Sequence, residues 1–102
     1  MAQFDLFANS EPEQFPLVVD VQADVLHRLA TRIAVPLMAL ERYGGRPITR
    51  LNPIVKFKGV DYVILFQDLV SVSTSMFGSR VGTLQSKRAE IIAALDLLFT
   101  GI

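Results

Sequence analysis

The strongest constraint on the fold is the stretch from Thr83 to Ile102, the longest uninterrupted helix signal in the chain. Ile91, Ile92, Leu95, Leu98, Phe99 and Ile102 fall at i, i+1, i+4, i+7, i+8 and i+11, one face of a 3.6-residue period. Thr83 and Ser86 offer side-chain oxygens to the free N–H groups of a helix start, and Gly101 suits a left-handed C-cap. A helix over 83–100 is about 27 Å long at 1.5 Å per residue. From Ile91 to Phe99 its only polar residue is Asp96, so it is apolar nearly all round and needs cover on more than one side. The run ends in Phe99-Thr-Gly-Ile102 without a polar tail. That ending reads either as a core helix with its end tied down or as a contact surface for a partner.

Ahead of the helix the apolar pattern has period two, in short runs. Gln3–Phe7 reads as a first strand and Ala8–Glu13 as a polar loop marked by Pro12. Phe15, Leu17, Val19 and Val21 alternate with Pro16, Val18, Asp20 and Gln22 as a half-buried strand. Thr31–Leu37 repeats the pattern with Ile33, Val35 and Leu37 inward, and Pro36, which cannot donate, places that strand end at an edge or a bulge. Tyr43–Pro47 is a break, and the basic segment to Pro53 reads as loop. Ile54–Lys58 and Tyr62–Gln67 flank Gly59-Val60-Asp61, a three-residue hairpin connection. Leu69–Ser73 is a further short strand before a Ser/Thr stretch to Gly78. The implied class is α+β, mostly β: a small barrel or curled sheet of antiparallel strands with one terminal helix, in a single domain over 1–102.

A chain of this size buries roughly 60–70 % of its unfolded surface without metal or disulfide. It has no cysteine, which excludes thiol chemistry and suits a reducing cytoplasm. The N-terminus shows no signal-peptide pattern, and no apolar run approaches the 18 or so residues of a membrane span. Net charge is zero, so no global field draws the protein to nucleic acid. Residues 1–24 carry five acids and no base, whereas 25–58 carry seven bases against Glu41 alone; folding interleaves the two sets, or the basic middle receives an acidic peptide or phosphate. Hydrophobic residues are 51 % of the chain, high for so small a domain, and a homodimer is the simplest way to cover the surplus.

Little here supports catalysis. The lone histidine, His27, has no second imidazole or thiol to share a metal with, and no close carboxylate cluster exists. The serines from Ser71 to Ser79 lack a nucleophile-elbow pattern, and no glycine spacing matches a phosphate loop. One catalytic alternative stays open. Small barrels cleave RNA without metal, using the substrate 2′-hydroxyl as nucleophile, and Arg32, Arg80, Asp68 and His27 are candidates for such a site.

Asp20-Val-Gln-Ala-Asp24, Val35-Pro-Leu37, Pro53, Leu69-Val-Ser-Val72 and the closing Phe99-Thr-Gly-Ile102 resemble, in order and spacing over essentially the whole chain, the CcdB toxins of bacterial toxin–antitoxin modules. The resemblance implies an SH3-like barrel of antiparallel strands, as in the CcdB, Kid and MazF toxins, with a long C-terminal helix, dimerised so that the two chain ends lie near each other. It implies a cytoplasmic toxin that binds the A subunit of DNA gyrase, traps the cleaved DNA complex and is neutralised by a CcdA-like antitoxin. It implies no catalytic residue, cofactor, metal, membrane contact or direct DNA binding by the toxin alone. The gyrase-contacting positions fall on Val25, Leu26, Asp96, Phe99, Thr100, Gly101 and Ile102. Gly101 and Ile102 match as they stand, but well-studied members carry Asn at Asp96 and Trp at Thr100. A buried Trp anchor is typically worth about 2 kcal/mol or more in an interface. The resemblance therefore also admits a dimer that no longer poisons gyrase and acts through antitoxin binding, and, more remotely, a MazF- or Kid-like endoribonuclease.

Overall fold

The computed structural model describes residues 1–102 and is mostly antiparallel β, a curled half-barrel closed on one side by a C-terminal helix. The strands are β1 (Asp5–Ala8), β2 (Leu17–Asp20), β3 (Thr31–Ala39), β4 (Ile54–Phe57), β5 (Val60–Ile64), β6 (Val70–Ser73) and β7 (Arg80–Thr83). A single-turn helix α1 (Leu40–Tyr43) follows β3, and α2 (Arg88–Thr100) closes the chain. The sheet runs β4-β5-β3-β2-β1-β7, with β6 paired to β3 off this path.

β3 is the hub. Its first half pairs with β6 (Thr31↔Ser73 to Ala34↔Val70), its last residues pair with β5 (Leu37↔Ile64 to Ala39↔Tyr62), and its other side pairs with β2. Pro36 lies in the middle of this strand, opposite Val18, and not at the edge or bulge its missing donor suggests. The reason is local: Pro36 stands where β3 changes partner from β6 to β5, and its carbonyl accepts from the Leu65 N–H at 3.0 Å. No ladder partner on that side needs a donor from it.

Val19, Val35, Leu37, Val55, Ile64, Phe66 and Ile91 lie in one apolar core. Phe4 is inside it with φ of 71°, so the first strand starts at Asp5 and not at Gln3. The left-handed conformation costs about 1–2 kcal/mol, which burial of the ring, about 1.5–3 kcal/mol, offsets. The hairpin β4–β5 turns on two residues, Lys58 and Gly59, with φ of 49° and 80°. This is the primed geometry that matches strand twist, tighter than the three-residue connection centred on Val60. The strand expected to reach Gln67 stops at Ile64, because residues 66–68 form a 3₁₀ turn under α2. β7 gives little sequence signal, since Arg80-Val-Gly-Thr83 has one apolar residue and a glycine.

Two glycines mark close approaches. The outer strands β4 and β7 meet through a side chain: a Cβ on Gly82 would stand 2.8 Å from Phe57 Cε1. Gly78 donates to the Ala8 carbonyl at 3.1 Å, and a Cβ there would lie within 2.4 Å of that same oxygen.

α2 begins later than the periodicity suggests. Thr83 Oγ1 accepts from Gln85 N at 3.2 Å where a separate 3₁₀ turn, Gln85–Lys87, begins, so α2 has 13 residues and spans about 20 Å. Its buried stripe is Ile91 and Ala94, flanked by half-buried Ile92, Leu95 and Leu98. Phe99 and Ile102, expected on that face, are 68 % and 80 % exposed. Phe99 sits one residue, about 100°, round from Leu98, and Ile102 lies beyond the left-handed turn at Gly101 (φ 77°).

Polar groups stitch the interior. Asp20 and Arg32 are 0 % and 2 % exposed, and Arg32 donates through Nε and Nη2 to Asp20 Oδ2 at 2.9 and 2.5 Å. Asn52 holds the loop after α1, donating to the Ile64 carbonyl at 3.1 Å and accepting from Ile48 N at 3.0 Å. Asp5 is buried beside Arg80 (3.1 Å) and accepts from Ala2 N at 2.9 Å. Burial alone would raise its pKa, but the Ala2 N–H, the Arg80 hydrogen bond and charge, and the terminal ammonium together hold it below 3.8.

Two stability measurements follow. Gly78→Ala loses about 1–3 kcal/mol by denaturant titration, because backbone must shift to admit the methyl; Gly59→Ala, with open space around it, loses only the left-handed penalty of about 1–2 kcal/mol. Because the folded carboxyl of Asp5 titrates below the unfolded one, its contribution is full above the ordinary value of 3.8 and fades as pH falls toward the folded value. Asp5→Asn removes that part of the acid sensitivity, seen as a flatter stability profile below about pH 4.

Candidate functional site

Two segments carry the positions singled out in the sequence. Val25 and Leu26 belong to a 3₁₀ turn, Asp24–Leu26, closed by Leu26 N to Ala23 O at 3.0 Å and His27 N to Asp24 O at 3.1 Å. Neither side chain packs inward: Val25 is 83 % exposed and Leu26 is 46 % exposed. Asp96, Phe99 and Thr100 lie on the last turns of α2, and Gly101 and Ile102 follow it.

The fold brings part of this set together. Leu26 and Phe99 both line an apolar groove of about 290 Å³, together with Ile33, Leu69 and Leu95, with Gln22 its only polar lining residue. Val25 is exposed and does not line the groove, and Asp96, Thr100, Gly101 and Ile102 belong to the exposed end of the helix. Gln22, Ile33 and Leu69 are contributions that the sequence reading did not assign. Gln22 and Leu69 stand within the segments that carry the family resemblance, but nothing in their spacing marks them as groove residues.

The helix end is held in a defined shape. Gly101 N donates to the Leu97 carbonyl at 3.0 Å in a left-handed cap, which glycine adopts at least cost. Arg50 reaches across with Nη2 2.5 Å from the main-chain oxygen of Ile102 and 3.4 Å from that of Ala93. A cation at this end also complements the helix dipole. Thr100 turns its hydroxyl back, donating to the Asp96 carbonyl at 2.6 Å. The Asp96 carboxylate faces solvent and makes no ion pair or hydrogen bond.

The residues considered for RNA cleavage are not gathered. Arg32 is committed to Asp20, Arg80 to Asp5, and Asp68 lines a different cavity beside Val70 and Pro36. His27 and Arg32 do border one open polar hollow with Asp24 and Thr74. No three carboxylate or imidazole groups lie close enough together to hold a metal ion, and no helix is long and apolar enough to cross a membrane.

A family model described as CcdB protein matches residues 3–101. The chain belongs to the CcdB family. CcdB proteins are the toxin component of toxin–antitoxin modules, and this chain is a toxin of that class. The fold described above is consistent with the CcdB fold, its curled antiparallel sheet and C-terminal helix included.

Removing the Arg50 tether tests how firmly the helix end is held. In Arg50→Ala, carboxypeptidase releases Ile102 several-fold faster than from the parent chain, while the Tm changes little because the guanidinium is solvent-exposed.

Proposed function

We propose that this CcdB-family toxin acts as a homodimer on DNA gyrase, binding its A subunit through Val25, Leu26, Asp96, Phe99, Thr100, Gly101 and Ile102. In this reading it traps the complex in which DNA is cleaved and covalently attached, and a CcdA-like antitoxin in the bacterial cytoplasm neutralises it. The observation that carries the proposal is that Leu26 and Phe99 line one apolar groove while Phe99 and Ile102 stand exposed at the helix end. Exposed aromatic and aliphatic groups beside a groove are the usual anchors of a protein interface. The protein performs no bond chemistry in this reading; it contributes shape and binding energy to a state that gyrase itself generates.

A second reading is favoured by one specific feature. Thr100 has little area to offer, and its hydroxyl is engaged by the Asp96 carbonyl, so this position supplies no anchor of tryptophan size. Asp96 adds a charge whose desolvation is costly unless the partner provides a cation. On that basis the alternative is a dimer that binds antitoxin, and through it regulates its operon, without poisoning gyrase.

A cleavage assay separates the two. Purified protein, supercoiled plasmid, gyrase and ATP, stopped with detergent and protease, yield linear DNA in proportion to added protein under the first reading. Phe99→Ala and Ile102→Glu, both exposed and so harmless to folding, each lower the yield at least tenfold, a loss of about 1.4 kcal/mol or more. If both variants stay folded and cleave as the parent does, the surface is misassigned. Absence of linear DNA from the folded parent, with tight antitoxin binding, establishes the second reading instead.

A further inference from the structure

Residues 23–31 run in unbroken succession without one buried side chain. A segment with no packed anchor holds a single shape only through its hydrogen bonds. Its apolar members point outward, Leu29 at 50 % exposure as well as Val25 and Leu26. The polar ties are few. Asp24 Oδ1 accepts from Gln3 N at 2.7 Å at the start of the loop, in an exposed setting, and Thr74 N donates to the Ala30 carbonyl at 2.9 Å near its end.

Between them lies one part-buried tie. The Gln22 side chain, in a residue 5 % exposed, donates through Nε2 to the Leu26 carbonyl and to the Thr31 carbonyl, both at 3.2 Å. A single carboxamide thus uses both its hydrogens to join the 3₁₀ turn to the first residue of β3. Gln22 is itself immobilised, since its N–H donates to Asp20 Oδ1 at 3.0 Å, while Asp20 Oδ2 is held by Arg32. The buried ion pair, the glutamine and the turn form one continuous line of hydrogen bonds ending at Leu26.

We propose that Gln22 is a positioning residue for the binding surface: its two donated hydrogen bonds fix the Val25–Leu26 turn against the groove shared with Phe99. The functional consequence rests on the gyrase-binding reading above; the positioning itself does not. The chemistry is specific to glutamine. Its carboxamide offers two donors without charge, an ionised glutamate offers none and would face two carbonyl oxygens, and leucine fills similar space with no donor at all.

The first test needs no substitution. In the parent protein the two Nε2 protons of Gln22 exchange with solvent far more slowly than those of exposed Gln14; equal rates overturn the proposal. The second test compares Gln22→Leu, Gln22→Glu and Gln22→Ala by amide hydrogen exchange. Protection of the Leu26, His27 and Leu29 amides falls about tenfold or more in the leucine variant, which loses both donated hydrogen bonds, and at least as far with glutamate, while Val19 and Val35 stay protected. If Gln22→Leu keeps the parent's loop protection and only Gln22→Ala loosens it, Gln22 is a space-filler and the proposal fails. Gyrase cleavage is then read on the same samples. A parent that cleaves and a leucine variant that cleaves several-fold less support the link to function. A parent that does not cleave removes the gyrase reading, and the exchange rates still decide the role of Gln22.

Discussion

The pairing of Arg32 with Asp20 inside the sheet is the interaction on which most else depends. Both groups are withdrawn from water, one on β3 and one at the end of β2, at the place where the chain leaves the core to build its exposed turn. A buried pair of this kind adds little net stability against an apolar substitute, yet losing one partner costs about 3–5 kcal/mol because the other is stranded. Its value here is positional. Asp20 accepts from the Gln22 N–H as well, and its own carbonyl accepts from Phe4 N at 2.6 Å, so the chain entry, the second strand and the loop after it share one polar centre.

Around that centre the molecule divides into a packed part and an unpacked part. The core strands and the middle of α2, at Ile91 and Ala94, bury apolar side chains. The 3₁₀ turn at Asp24–Leu26 and the last turn of α2 leave theirs in water. The exposed apolar groups are not scattered: Leu26 and Phe99 share one groove, and Ile102 sits at the adjoining helix end. Hydrogen bonds from Gln22, Gly101 and Arg50 hold these segments where packing does not. A surface so held meets a partner with part of its ordering cost already met by the fold.

How much of this was legible in the sequence depended on whether a residue's role was local. The alternation through Leu17, Val19 and Val21 and the apolar run of α2 reported strands and helix correctly, since burial writes itself into period two and period 3.6. Pro36 misled because its fit depends on β3 exchanging β6 for β5, which no nearby residue encodes. β7 was invisible because its pairing with β1, and not its own composition, makes it a strand. At the candidate site, Phe99 and Leu26 were named through the family resemblance; their groove, Gln22's double bond and Arg50's reach to Ile102 are tertiary facts separated by up to 52 positions in the chain.

The seam between β4 and β7 has a further consequence for how such sequences vary. The two strands do not share a ladder; an aromatic ring resting on a bare α-carbon joins them, Phe57 on Gly82. The space at the seam therefore limits the summed volume of the two positions. A side chain introduced at position 82 keeps the seam closed only if position 57 shrinks with it, so the two sites are coupled in volume although they stand 25 positions apart in the chain.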